Sequence, residues 1–246
     1  MRNHLSLRSG NPALNKNTFK GLITKGDIMT IDGTVNKTSI ALLLLLFSAY
    51  YTYSTANTSF VFIGFILGIV LAIATIIKKQ WSPITVPLYA VCEGLALGGI
   101  SAIYESMYTG IVQQAIFLTI GIFAALLFAY KTKVIKATEN FKLGVFAATG
   151  GIAIIYFISF IMSFFGSSIS ILNIQNASLM SIGFSLFVVI IASLNLVLDF
   201  DFIEEASESN VPKYMEWYAT FGLLITLIWL YLEILRLLAK LQSRRN

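Results

Sequence analysis

Long apolar runs alternate with short polar breaks from residue 39 to residue 238, and this alternation predicts seven helices. The runs cover 39–54, 59–77, 83–104, 111–130, 143–165, 177–200 and 214–238. Most are about 20 residues long, enough to cross a hydrocarbon layer of roughly 30 Å at 1.5 Å per residue. The first is shorter, but its Leu42–Leu46 run and the aromatics Tyr50, Tyr51 and Tyr53 suit a span that ends at an interface. Pro83 and Pro87 fall in the first turns of the third run, where a missing N–H is tolerated. The breaks hold at most about a dozen residues, so nothing between the spans is long enough to fold as a second domain, and a compact bundle is expected.

Residues 1–38 are polar and basic, with Gly10, Pro12, Gly21, Gly26 and Gly33 scattered through them. They lack the apolar core of a signal peptide and read as a retained tail, flexible or lying on the surface. The seven-span domain then occupies 39–241, and 242–246 form a short basic tail. Lys and Arg gather in the N-terminal tail, at Lys78 and Lys79, and at Lys131, Lys133, Lys136 and Lys142, whereas the connections after spans one, three and five carry none. Basic loops stay on the cytoplasmic side, so this alternation predicts a cytoplasmic N-terminus. Lys240, Arg244 and Arg245 depart from it, because seven spans place them on the other side.

Composition agrees with a membrane setting. Hydrophobic residues make up 57% of the chain and charged residues 12%, about half of what a soluble domain carries. The net charge of +5 follows span ends and contains no basic patch interleaved with aromatics, so nucleic acid is not an expected partner. The single cysteine, Cys92, excludes an internal disulfide, and the single histidine, His4, lies in the tail. A Ser–His catalytic pair within the spans and a His-ligated zinc site are both ruled out. No enzyme motif and no bound cofactor is expected.

Polar groups inside the apolar runs carry the candidate chemistry. Span six bears Ser181, Ser185, Ala192, Asn195 and Asp199 on one helical face, and its end, LDFDFIEE, holds four carboxylates within seven residues. Asp199 ends the inward stripe. Asp201 projects to the opposite side, and Glu204, Glu205 and Glu208 read as a solvated helix end. A carboxylate at the end of a span is costly in hydrocarbon and calls for a partner, a watered cavity or a proton. Glu93, ten residues into span three, raises the same question and is a candidate pore or proton site together with Asn195. Glu233 has Arg236 three positions on, the spacing of a local ion pair. Small residues mark faces where helices in lipid approach closely: Ala90, Gly94, Gly98 and Ala102 on span three, and Gly144, Ala148 and Gly151 on span five.

Several stretches together resemble a known family. SGNPAL at Ser9–Leu14, MTIDGTVNKT at Met29–Thr38, EGLALGGISAIYE at Glu93–Glu105, ATGGIAIIY at Ala148–Tyr156, LNLVLDFDFIEE at Leu194–Glu205 and PKYMEWY with WLYLEILRLL at Pro212–Leu238 resemble the longer bacterial branch of the Bax inhibitor-1/YccA (transmembrane Bax inhibitor motif) family. The resemblance implies an all-α polytopic membrane protein in which six helices surround a central C-terminal seventh, located in a bacterial plasma (inner) membrane. It also implies a pH-sensitive leak for calcium or other cations, in which carboxylates on helices six and seven share a proton to close the path. Asp199 matches the first carboxylate, the candidate Ca²⁺ ligand, and Glu233 matches the second by its LYLE context. Calcium ions, protons and the bilayer are then the partners.

Two neighbouring carboxylates do titrate as a unit, and hard oxygens suit Ca²⁺. The spacing, however, works against a direct contact. With a turn near Asn210, Asp199 and Glu233 stand about 12 residues out of level, roughly 18 Å, unless helix seven tilts or unwinds. Other function classes stay open at this point. One is a non-conducting protein that modulates membrane proteases or stress factors through membrane-protein partners. An intramembrane aspartyl protease lacks its GxGD context here, and secondary transport lacks paired broken half-helices.

Overall fold

The computed structural model describes residues 26–245, so residues 1–25 of the expected basic tail, and Asn246, lie outside the described residues. Seven helices long and apolar enough to cross a membrane follow in order: α1 (Ile31–Thr55), α2 (Ser59–Ile77), α3 (Ser82–Met107), α4 (Ile111–Lys131), α5 (Glu139–Phe164), α6 (Leu179–Glu208) and α7 (Met215–Ser243). The expected runs match these helices closely except at three ends. α1 begins eight residues before its apolar run, because Thr30, in extended conformation, accepts a hydrogen bond from Gly33 N at 3.0 Å and Asp32 follows in the first turn. α6 and α7 each continue past the apolar stretch and, at 30 and 29 residues, measure roughly 45 Å.

Contacts divide the described chain into two compact units. The first holds residues 26–109 and 201–225, hence α1, α2, α3, the end of α6 and the start of α7. Its helices meet through missing side chains. A Cβ on Gly98 of α3 would strike the carbonyl of Ala49 on α1, and one on Gly94 would strike Ser48 and the Leu45 carbonyl. Gly64 of α2 lies as tightly against the Cys92 carbonyl of α3. Hydrogen-bonded hydroxyls join the same helices, with Thr75 Oγ1 donating to Thr85 Oγ1 at 2.7 Å. Ahead of α1, Ile28 forms an isolated antiparallel bridge with Pro212, and Met29 N donates to Val211 O at 2.8 Å. The segment that leads into α1 is thereby fastened to the one that leads into α7.

The second unit holds residues 110–200 and 226–245. Ile152 of α5 and Val188 and Ile191 of α6 form one buried cluster in it, with Ala148, Tyr156, Phe184 and Trp229 packed around them. Phe200 of α6 takes the edge of Phe123 from α4, ring centres 5.7 Å apart. The two glycines of the small stripe on α5 are not contact points, since no described residue lies within 4 Å of a Cβ placed on Gly144 or Gly151, whereas Ala148 between them packs against the cluster. Burial is greatest on three helices, since the apolar windows of α6 and α7 are each 61% buried and that of α3 50%, against 11% for α5 and 17% for α2.

Candidate functional site

In the second unit, α6 turns its small and polar stripe inward as its spacing predicts. Ser181, Ser185, Ala192, Asn195 and Asp199 are all buried, and Asp199 is 0% exposed. Asp201, two positions on, is half-exposed, and Glu204 and Glu208 are exposed. One helical turn before Asp199, Asn195 donates through Nδ2 to Thr149 Oγ1 of α5 at 2.8 Å and to Ile191 O at 2.9 Å. Its Oδ1 is buried and accepts no hydrogen bond among the described residues. Such an acceptor normally has a partner, and a site that leaves one open invites water or a cation.

Glu233 of α7 is engaged elsewhere. Tyr156 of α5 donates to its Oε1 at 2.8 Å, and Arg236 donates Nη1 to the two carboxylate oxygens at 2.8 and 2.9 Å. The guanidinium also lies over the Tyr156 ring, 5.2 Å from its centre. The local ion pair expected from the i,i+3 spacing is present, and a phenol from a second helix closes it.

Asp199 and Glu233 stand at different levels. Trp229 packs against the cluster of Ile152, Val188 and Ile191, and Lys240 reaches Ser181 and Ser185, so α7 runs antiparallel to α6. Glu233 falls between those contacts, level with about residues 185–190 of α6, and Asp199 lies about ten residues further on. At 1.5 Å per residue that is roughly 15 Å along the axis, too far for two carboxylates to share a proton. The structure thus brings Asp199 together with Asn195, and Glu233 with Tyr156 and Arg236.

Glu93, in the first unit, is half-buried on α3 and points into the notch left by Gly68 of α2, where a Cβ would meet its Oε1. Gly68 and Gly64 escaped the sequence reading, although their four-residue spacing is the signal used on span three.

The structure gives two charged groups surroundings that the sequence did not indicate. In the first unit, Glu216 of α7 is fully buried and accepts from Thr30 N and Thr30 Oγ1, both at 3.0 Å, and from Lys37 Nζ. The carboxylate thus sits at the N-terminus of α1, where free N–H groups and the helix dipole favour an anion. In the second unit, Lys240 of α7 is 0% exposed and donates to Ile171 O at 2.7 Å, Ser185 Oγ at 2.8 Å and Ser181 O at 3.3 Å. Lys240 is therefore an internal group and not one of the tail charges among which the sequence pattern placed it.

Among the described residues, no three His, Cys, Asp or Glu side chains gather as a metal site. Among the buried charges on these apolar helices, Glu216 is paired with Lys37 and Glu233 with Arg236, while Lys240 is held by carbonyl and hydroxyl oxygens. No curated protein and no solved structure matches the chain. The family model described as Bax inhibitor 1 like matches residues 11–243, nearly the whole length. A seven-helix membrane-type chain with that match belongs to the Bax inhibitor 1-like family.

Proposed function

We propose that this protein is a pH-sensitive leak for calcium and related cations, with the Asp199 carboxylate as its titrating gate. The observation that carries the reading is the environment of Asp199: fully buried, on the inward face of an apolar helix, one turn from the open acceptor of Asn195. An ionised carboxylate there attracts a hydrated cation, and the neutral amide oxygen next to it replaces part of the lost water shell. Two hard oxygens suit Ca²⁺ better than softer metals. Protonation removes the charge and the attraction together, so the leak falls as pH falls through the titration of Asp199 and rises above it. Glu233, held by Arg236 and Tyr156, acts in this reading as a fixed structural charge. The basic loops support a cytoplasmic N-terminus, and the resemblance to the bacterial branch of the family supports a bacterial inner membrane.

The test is Ca²⁺ flux into proteoliposomes at acidic and neutral pH. The wild-type chain is expected to leak more at neutral pH, and Asp199→Asn to lose at least tenfold of the neutral-pH flux together with its pH dependence. A folded wild-type chain with no flux above empty vesicles would overturn the leak and favour a protein that acts by binding other membrane proteins.

A further inference from the structure

Lys240 lies near the C-terminal end of α7, and its ammonium group has three hydrogens and three acceptors. None of the three is a carboxylate. The charge is held by a backbone carbonyl of the α5–α6 connection, a backbone carbonyl of α6 and the Ser185 hydroxyl. Burial of a charge without a counter-ion is costly, and hydrogen bonds from all three ammonium hydrogens offset part of that cost. The nearest charges on the same helix are Arg236, one turn earlier, and Glu233, which Arg236 already neutralises. Lys240 therefore contributes a net buried positive charge.

Its first acceptor is the informative one. Ile171 belongs to the connection 165–178, at a 3₁₀ turn, Ser170–Leu172, and its carbonyl takes hydrogen bonds from both Lys240 Nζ and Ser181 Oγ, the latter at 2.9 Å. The connection is shaped from within by Asn176, whose Nδ2 donates to Ser170 O at 3.0 Å and to Ser170 Oγ at 2.9 Å. Most of its residues are exposed, whereas the start of α6 that it adjoins holds the fully buried Ser181. One buried lysine on α7 thus fastens an otherwise exposed strap to the start of α6.

We propose that Lys240 is the latch and the charge barrier at this end of the α5, α6 and α7 group. It holds the 165–178 strap down over Ser181 and places a positive charge in the way of any cation that would pass there. The barrier half of this rests on the leak proposed above; the latch half does not.

Both halves are read in one set of proteins. In a Cys92→Ala background, Ser181→Cys is labelled with a charged, membrane-impermeant thiol reagent, with Lys240 present and with Lys240→Met. The latch predicts labelling at least tenfold faster in the Lys240→Met chain, and the barrier predicts several-fold more Ca²⁺ leak from the same chain. Equal labelling rates overturn the latch whatever the flux. Faster labelling with an unchanged, measurable leak overturns the barrier alone. Faster labelling where no chain, wild type included, conducts keeps the latch and overturns the leak. Ser185→Ala, which removes one acceptor and keeps the lysine, supplies a milder variant should Lys240→Met fail to fold; it is expected to raise the labelling rate by a smaller factor, and no rise overturns the latch.

Discussion

Glu216 shows how a single residue can hold two distant segments. Its carboxylate is fully buried, yet it receives the backbone N–H and hydroxyl of the α1 N-cap and the ammonium of Lys37, which is itself mostly buried. Removing one member of such a pair leaves the other charge stranded, which costs about 3 kcal/mol or more, whereas removing both costs much less. Chemical denaturation in detergent should therefore find Lys37→Met destabilised by about 3 kcal/mol, with Glu216→Gln added to it recovering at least half of the loss. Equal stability of the single variant and the wild type would mean that solvent already screens the pair. The sequence did not show the two as partners, because 179 positions separate them and helical spacing relates only near neighbours. Asp199, Asn195 and the Glu233–Arg236 pair were legible for the complementary reason: each belongs to a stripe or spacing within one helix.

At the level of helices, glycine has opposite meanings on α3 and α5. On α3, Gly94 and Gly98 let α1 approach until its carbonyls occupy the place of a Cβ; on α5, Gly144 and Gly151 face open space. The sequence shows small residues at helical spacing in both, at Ala90, Gly94, Gly98 and Ala102 on α3 and at Gly144, Ala148 and Gly151 on α5, so spacing alone cannot tell a contact face from a free one. Gly98→Leu is expected to abolish the folded, monodisperse protein or to destabilise it by several kcal/mol, and Gly151→Leu to change stability by no more than about 0.5 kcal/mol. Thermal unfolding with size-exclusion chromatography checks both, and a tolerated Gly98→Leu would show that α1 and α3 do not pack in this way. Helix cores were placed well by hydropathy and helix ends less well. Residues 31–38 are helical although Asp32, Asn36 and Lys37 make them polar, since hydropathy reports preference for water and the capping hydroxyl of Thr30 sets where the helix begins.

For the molecule as a whole, the two inner carboxylates belong to different circuits. The family resemblance implied one proton-sharing pair, and the mismatch already visible in the spacing argued against it. The structure agrees with the spacing: Asp199 keeps company with Asn195 on α6, and Glu233 is closed by Tyr156 and Arg236. Two groups roughly 15 Å apart perturb each other weakly, whereas two sharing a proton titrate as one. The most direct test is therefore a double-mutant cycle of Ca²⁺ flux against pH with Asp199→Asn, Glu233→Gln and the two combined. The expected result is that Glu233→Gln leaves the pH midpoint of the leak in place, while Asp199→Asn removes the pH dependence with or without it. A midpoint displaced by one pH unit or more in Glu233→Gln would contradict this and restore the shared-proton pair.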